Sequence, residues 1–412
     1  MSQLRSSIAA LPKAIQTSSV LAGVLIVIVG FTGSLVLTFD IADKARLTHA
    51  QLSSWVLAIT VGSGLLSLGL ALWYKQPVLT AWSTPGLAVL ASSLADYPLS
   101  EAVGAYLFVG LAIAFLGATG LFERAMRLVP QNVALAVLGG SLLKYGLGLF
   151  SAAVLEPALV LGMIAAFLVA KRVGSRVPMG WALLIGFLGA ALLGKFDVSN
   201  VRLELAAPVW IAPTFTLSAL IGLGVPLLAL ALASQNAPGL AVMRAAGYDP
   251  PVRGALVSTG ILSALAAPLL GHGYTLAAIT AALGVGPDAH PDKDLRYGAS
   301  VVAGVLKIAL GLFGATIVAL FLGIPKPLVA GMAGLALSGT IQSCLVGAFQ
   351  DKNARDSSLF ALLVTASGAE FLGLGSAFWG LVVGATVSAL LERRTITRDA
   401  TSQEVTQQKE IT

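Results

Sequence analysis

The chain has 412 residues, of which 57% are apolar and only 11% charged, with a net charge of +6. A soluble domain carries roughly 25% charged residues, so this composition excludes an ordinary soluble enzyme and describes a chain dissolved in lipid. A single cysteine excludes an intrachain disulfide, and no basic segment is interleaved with aromatics as a nucleic-acid groove requires.

Apolar runs of about 20 residues suit a hydrocarbon core of roughly 30 Å and recur to the end of the chain. They predict an all-α integral membrane protein of about fourteen spans. The first seven fall near 14–38, 52–74, 77–94, 101–122, 131–150, 154–170 and 178–195. The second seven fall near 214–235, 252–270, 272–286, 297–321, 327–347, 357–371 and 374–391. The first stretch is too long for a signal-peptide core and is read as retained. An odd number of spans per half inverts the second half relative to the first, which is the topology of an inverted repeat. The expected organisation is a first repeat over 1–195, an extracytoplasmic connection over 196–213, a second repeat over 214–391 and a disordered tail over 392–412. With both termini in the cytoplasm, most of the 25 Lys and Arg residues fall on the cytoplasmic side, among them Arg124, Arg127, Lys171, Arg172, Arg393 and Arg394. The opposite side keeps Lys44, Arg46, Lys195, Arg202 and Lys326.

Three spans carry polar interruptions. In the third, Ser83-Thr84-Pro85-Gly86 predicts extended chain over Pro77–Ser83 and a fresh half-helix from Thr84 to about Leu94. In the eighth, Ala233-Ser234-Gln235-Asn236-Ala237-Pro238-Gly239 predicts a second break. The tenth opens Gly271-His272-Gly273-Tyr274-Thr275 and predicts a half-helix over Leu276–Leu283. Lipid cannot satisfy open backbone, so such breaks belong where protein buries them or a cavity is lined. Two half-helices entering from opposite sides would face their N-termini, each a ready anion site.

Five segments, in order, resemble the benzoate–proton symporter family, of BenE type. They are Leu79-Thr80-Ala81-Trp82-Ser83-Thr84-Pro85-Gly86, the eighth-span motif, Ala289-His290-Pro291-Asp292-Lys293-Asp294, Val364-Thr365-Ala366-Ser367-Gly368 and Gly375-Ser376-Ala377-Phe378-Trp379-Gly380. The resemblance covers about residues 15–390. It implies the seven-plus-seven fold of nucleobase and sulfate transporters, in which a core domain (spans 1–4 and 8–11) carries substrate against a gate domain (spans 5–7 and 12–14). It also implies a bacterial cytoplasmic (inner) membrane location and uptake of benzoate, or a similar small aromatic monocarboxylate, with a proton. Nucleobase members bind a neutral ring with acidic residues on spans eight and ten. Neither Thr214–Ala237 nor Gly271–Gly286 contains Asp or Glu here, which suits an anion. An anion channel or facilitator, or a carrier of another small organic anion, is the alternative. An enzyme is not expected, and no cofactor is implied. A homodimer is left open.

The residues expected to touch substrate are Phe31, Trp82, Ser83, Thr84, Gly86, Gln235, Asn236, Gly273, Tyr274 and Thr275. Candidates for proton coupling are His272, Lys307 and Glu370, because an ionisable group inside a membrane is a functional hypothesis by default. Lys144, near the end of the fifth span, is expected to snorkel to the interface. His290-Pro291-Asp292-Lys293-Asp294 reads as turn chemistry at a cytoplasmic loop, not a metal site.

Overall fold

The computed structural model describes residues 2–122, 130–175, 178–195, 201–277, 280–369, 371 and 376–392. The elements up to the central connection are α1 (Ser2–Ala14), α2 (Thr17–Lys44), α3 (His49–Tyr74), β1 (Thr80–Trp82), α4 (Thr84–Ser93), α5 (Leu99–Thr119), α6 (Gln131–Leu155), α7 (Pro157–Arg172) and α8 (Pro178–Leu192). After it come α9 (Leu217–Arg244), α10 (Val252–Ala266), β2 (Tyr274–Leu276), α11 (Ala281–Val285), α12 (Tyr297–Leu312), α13 (Gly314–Leu322), α14 (Lys326–Ala348), α15 (Arg355–Ser367) and α16 (Ser376–Val387). Among the described residues, eight helices are long and apolar enough to cross a membrane: α2, α3, α5, α6, α9, α10 with its 3-10 extension, α12 with the turn before it, and α14.

Two crossings set the packing. Helix α3 lies along α12, and α5 lies along α10. Both pairs meet at glycine. A Cβ on Gly64 would stand 2.7 Å from the Gly304 carbonyl oxygen, and one on Gly304 would stand 2.8 Å from that of Gly64. Gly110 and Gly260 repeat the arrangement, at 2.9 and 2.7 Å from each other's carbonyl oxygens. In lipid, helices associate through close packing and not through a hydrophobic force, so small residues at crossings do the work. Helix α6 packs on α14, α7 on α8, and α15 on α16.

Several expectations need correction. The eighth span does not break at its Pro-Gly pair. It runs on to Arg244 through two π turns, Leu220–Gly224 and Ala231–Asn236, each just before a proline (Pro226 and Pro238). A proline denies the preceding turn its N–H donor, and the wider π ring absorbs the misfit without ending the helix. Among the described residues the tenth span holds a five-residue helix, Ala281–Val285, and Leu276, expected in the half-helix, belongs to β2. The eleventh divides at Phe313 into α12 and α13. Glu392, expected in the tail, is buried, and its Oε1 accepts the Ser357 N–H at 2.8 Å. Residues 393–412 lie outside the described residues. Helix α1 was not expected at all; it lies across the α3–α12 pair, where the Tyr297 hydroxyl donates to the Ser7 carbonyl at 2.7 Å. The connection over 201–216 is irregular and crosses the ends of α12, α10 and α5, donating from Ala206, Ile211 and Thr214 to the carbonyls of Leu312, Pro268 and Ser100.

Candidate functional site

At the centre, β1 and β2 pair antiparallel, with Thr80 opposite Leu276, Ala81 opposite Thr275 and Trp82 opposite Tyr274. The ladder continues through Ser83 N–H to the Gly273 carbonyl (3.1 Å) and Ala277 N–H to the Leu79 carbonyl (2.9 Å). An isolated two-stranded ribbon is marginal in water. Inside a membrane each unpaired N–H or C=O costs several kcal/mol, so the two breaks satisfy one another. Gly273 sits at φ +125°, where a side chain would be strained, and supplies backbone and no contact surface.

The free edges of the ribbon are tied to the surrounding helices. The Thr80 N–H donates to Ser67 Oγ of α3 (3.1 Å), and the Tyr274 N–H to Ser263 Oγ of α10 (2.8 Å). The Leu276 N–H donates to Asn236 Oδ1 on the second π turn of α9 (2.9 Å). Lys307 of α12 is buried, and its Nζ donates to the Thr80 carbonyl at 2.7 Å.

Helix α4 starts beside this ribbon, with Ser83 as N-cap and Pro85 in the first turn. Ser83 Oγ accepts the Gly86 N–H at 2.9 Å, and Pro85 has none to give. Only the Thr84 N–H is left without an acceptor among the described residues. Helix α11, at five residues, adds little dipole. Of the expected pair of helix termini, the described residues show the head of α4, with the Thr84 N–H alone left over, and α11 only from Ala281.

Side chains supply donors as well. Trp82 Nε1, Ser234 Oγ, Asn236 Nδ2 and Thr275 Oγ1 are all buried without a hydrogen-bond partner among the described residues. They come from β1, the second π turn of α9 and β2; β1 packs on β2, and the π turn packs on β2 and on α4. Buried polar groups are nearly always paired, and each of the four can donate; Trp82 and Thr275 are offset by one in the register and leave opposite faces of the ribbon. The Phe31 ring stands edge-on to Trp82 at 5.1 Å between centroids, and Gln235 is partly buried beside Asn236. Ser234, inside the motif read from the sequence, was not singled out there; its place on a π turn is what brings it in.

Other expected residues are engaged by the protein itself. The Tyr274 hydroxyl donates to the Ala58 carbonyl of α3 at 2.6 Å, in the space left by Gly62. His272 is buried with both ring nitrogens engaged: Nδ1 accepts from Trp55 Nε1 (3.0 Å), so Nε2 carries the proton and donates to the Ser83 carbonyl (3.2 Å). This histidine clamps α3 to the head of α4. Glutamine can reproduce both bonds, whereas leucine strands the Trp55 N–H at a cost of about 1–3 kcal/mol. His272→Leu is therefore expected to lower the melting temperature in detergent by a few degrees and His272→Gln by less than half as much; equal losses would remove the clamp. Glu370 lies outside the described residues.

Lys144, expected at the interface, is exposed. It lines a cavity of about 530 Å³ between α2, α3, α6 and α14, and its Nζ donates to the Ala91 carbonyl of α4 at 2.8 Å. Asp40 in the same cavity accepts from Lys44 (2.5 Å) and from the Tyr145 hydroxyl (2.8 Å). The His290 loop is turn chemistry, as expected: Nδ1 accepts the Asp292 N–H (3.0 Å), Nε2 faces the Lys13 carbonyl (3.2 Å), and Asp292 Oδ1 accepts the Asp294 N–H (2.9 Å).

The family model described as "Benzoate membrane transport protein" matches residues 13–390. The chain is 39% identical over 373 residues to the inner membrane protein YdcO of Escherichia coli (strain K12), covering 90% of this chain and 95% of that one. It is 37% identical over 367 residues to the benzoate membrane transport protein of Acinetobacter baylyi, covering 89% and 93% respectively. Among solved structures it resembles the transmembrane domain of a cyanobacterial bicarbonate transporter, BicA, with a TM-score of 0.59 at 14% identity over 90% of this chain and 97% of that one. It also resembles the murine Solute Carrier 26 family member A9 anion transporter in its inward-facing state, with a TM-score of 0.56 at 14% identity, over 93% of this chain and 70% of that one. The fold is thus that of a helical membrane transporter.

Proposed function

The chain belongs to the benzoate membrane transport family, and from that premise we propose that it imports benzoate or a similar small aromatic monocarboxylate together with a proton. The observation that carries this reading is the set of buried donors without a partner among the described residues, on the ribbon and on the π turn that packs against β2 and α4. A carboxylate is an acceptor with about four lone-pair sites and nothing to donate, so it fits a site made of donors. Charge-assisted hydrogen bonds contribute roughly 1.5–3 kcal/mol each, enough to hold the anion without an arginine. Phe31 and Trp82 give the ring an apolar wall, where burial is worth about 25 cal/mol per Å². An inside-negative potential opposes a lone anion by about 2.3 kcal/mol per 100 mV, and one proton per carboxylate removes that opposition.

Fourteen spans in two inverted repeats are the architecture that best accounts for the packing. Exchanging each element of one half for its counterpart in the other turns the α3–α12 pair into α10–α5, α7–α8 into α15–α16, and β1–β2 into itself, and all these contacts exist. The sequence carries a short echo of this exchange. Val61-Gly62-Ser63-Gly64-Leu65-Leu66-Ser67 and Val257-Ser258-Thr259-Gly260-Ile261-Leu262-Ser263 share one pattern, and the last serine of each takes the N–H of a strand. In this reading residues 1–195 and 214–391 are the repeats, both termini are cytoplasmic, and a core of α2–α5 with α9–α13 rocks against a gate of α6–α8 with α14–α16. The cavity beside Lys144 lies between core and gate elements.

Purified protein in liposomes is expected to accumulate benzoate under an inward proton gradient and to release it unchanged. Benzamide, which has the ring and no charge, should compete at least about tenfold more weakly, the loss of one charge-assisted hydrogen bond. Equilibration without accumulation would make the protein a facilitator, and equal competition by benzamide would remove the anion site.

A further inference from the structure

His272 spends both ring nitrogens on Trp55 and Ser83 and has none left for a transported proton. Lys307, the eleventh residue of α12, is 3% exposed, and its one hydrogen bond among the described residues is to the Thr80 carbonyl. No carboxylate pairs with it among the described residues. The elements packed on this stretch of α12 bring no charge to it. The ionisable groups of α2 are Asp40, Asp43 and Lys44 at its C-terminal end; α3 has His49 and Tyr74 at its two ends; β1, α11 and α13 have none. Arg5 and Lys13 of α1, with Arg296, gather at the other end of α12, where Tyr297 meets Ser7. Tyr274 of β2 is committed to Ala58.

The fold itself does not ask for a lysine there. Helices α5 and α12 carry the same frame, Gly104-Ala105 with Gly110 and Gly117 in one, Gly298-Ala299 with Gly304 and Gly311 in the other. In that alignment Lys307 falls where α5 has Ile113, which is 1% exposed and packs as plain core. The Thr80 carbonyl, moreover, already accepts from Ser67 Oγ at 3.2 Å. One half of the molecule fills the position with a hydrocarbon and the other with an amine.

Resting on the symport reading, we propose that Lys307 is the group that takes up the co-transported proton. The neutral amine binds a proton from the outer side as benzoate enters the donor site, and the ammonium releases it when benzoate leaves to the cytoplasm; no other bond is made or broken. An ammonium alone in that interior is strongly disfavoured until an anion shares it. Thr80 and Thr84 are four residues apart, about 13 Å of extended chain, which sets the scale of the separation between the two charges. At that separation in a protein interior the attraction amounts to about a tenfold effect. By linkage, benzoate then favours protonation by the same factor as protonation favours benzoate. Lys307 acts through the shared interior and not by touching the substrate.

Lys307→Gln keeps an N–H for Thr80 and cannot titrate; Lys307→Arg keeps a permanent charge. Adding benzoate to wild-type protein in weak buffer should draw in about one proton per molecule bound. Both variants should draw in none and exchange labelled benzoate across liposomes, yet fail to accumulate it under a proton gradient. Wild-type-like accumulation by Lys307→Gln overturns the proposal and leaves the substrate's own carboxyl as carrier. Failure of the wild type to accumulate sinks the symport reading first. If neither variant folds, nitrogen-15 lysine spectra of the wild type decide: benzoate should move one buried amine resonance into the ammonium range, and an unmoved set of resonances overturns the assignment.

Discussion

Replacing Asn236 by Asp is expected to lower benzoate affinity at neutral pH by at least about a hundredfold, close to 2.7 kcal/mol. The two side chains have the same shape. Oδ1 of the aspartate can still accept the Leu276 N–H that Asn236 holds at 2.9 Å, so β2 keeps its tie to α9. What changes is the atom now without a partner, Nδ2, which becomes an acceptor carrying negative charge. The substrate loses a charge-assisted bond of roughly 1.5–3 kcal/mol and meets a like charge whose repulsion at contact distance is about 4 kcal/mol at an effective dielectric constant of 20. Lowering the pH until the new carboxyl is protonated restores a donor, so affinity should recover in acid, while the wild type loses ground there as benzoate itself is neutralised. Binding measured by calorimetry across pH checks both limbs. Unchanged affinity at neutral pH would place the carboxylate somewhere other than beside Asn236.

The second large effect concerns the glycine crossings. Gly260→Val is expected to leave no monodisperse folded protein, and Gly304→Val likewise. Each added Cβ would stand within 2.8 Å of a carbonyl oxygen on the facing helix, a backbone atom that cannot turn aside. Ordinary overpacking costs about 1–3 kcal/mol. Separating α5 from α10 along their length costs more, because in lipid close packing is the attraction that holds the pair and no hydrophobic force replaces it. Gly69 is the control. Nothing lies within 4 Å of its Cβ position, and Gly69→Ala should gain up to about 1 kcal/mol from helix propensity alone. Size-exclusion profiles in detergent and melting temperatures separate the outcomes. A well-folded Gly260→Val protein would mean that the two crossings do not hold the core together.

The broken third span was legible because Pro85 and Gly86 punctuate an apolar run and Ser83 is a strong cap; the half-helix begins at Thr84, as read. The same signs misled in the eighth span. Pro238 and Gly239 look identical in one dimension, but a π turn upstream let that helix continue. The membrane setting, the three irregular spans and the family were thus in the amino-acid string itself, since they follow from hydropathy, backbone chemistry and motif order.

Pairing was not. Nothing in Tyr274 announces that its hydroxyl would go to Ala58, nor in His272 that Trp55 would occupy one nitrogen and fix the tautomer. The isolation of Lys307 becomes visible only when α3, β1 and α12 are set around it. Composition and periodicity act along the chain, and the sequence alone determined a membrane-spanning transporter built around broken helices. Which polar atoms are satisfied by protein, and which are left for a ligand or a proton, depends on pairings such as Lys307 with Thr80, 227 positions apart. Only the tertiary structure decided that, because a buried donor or charge is defined by what surrounds it in space.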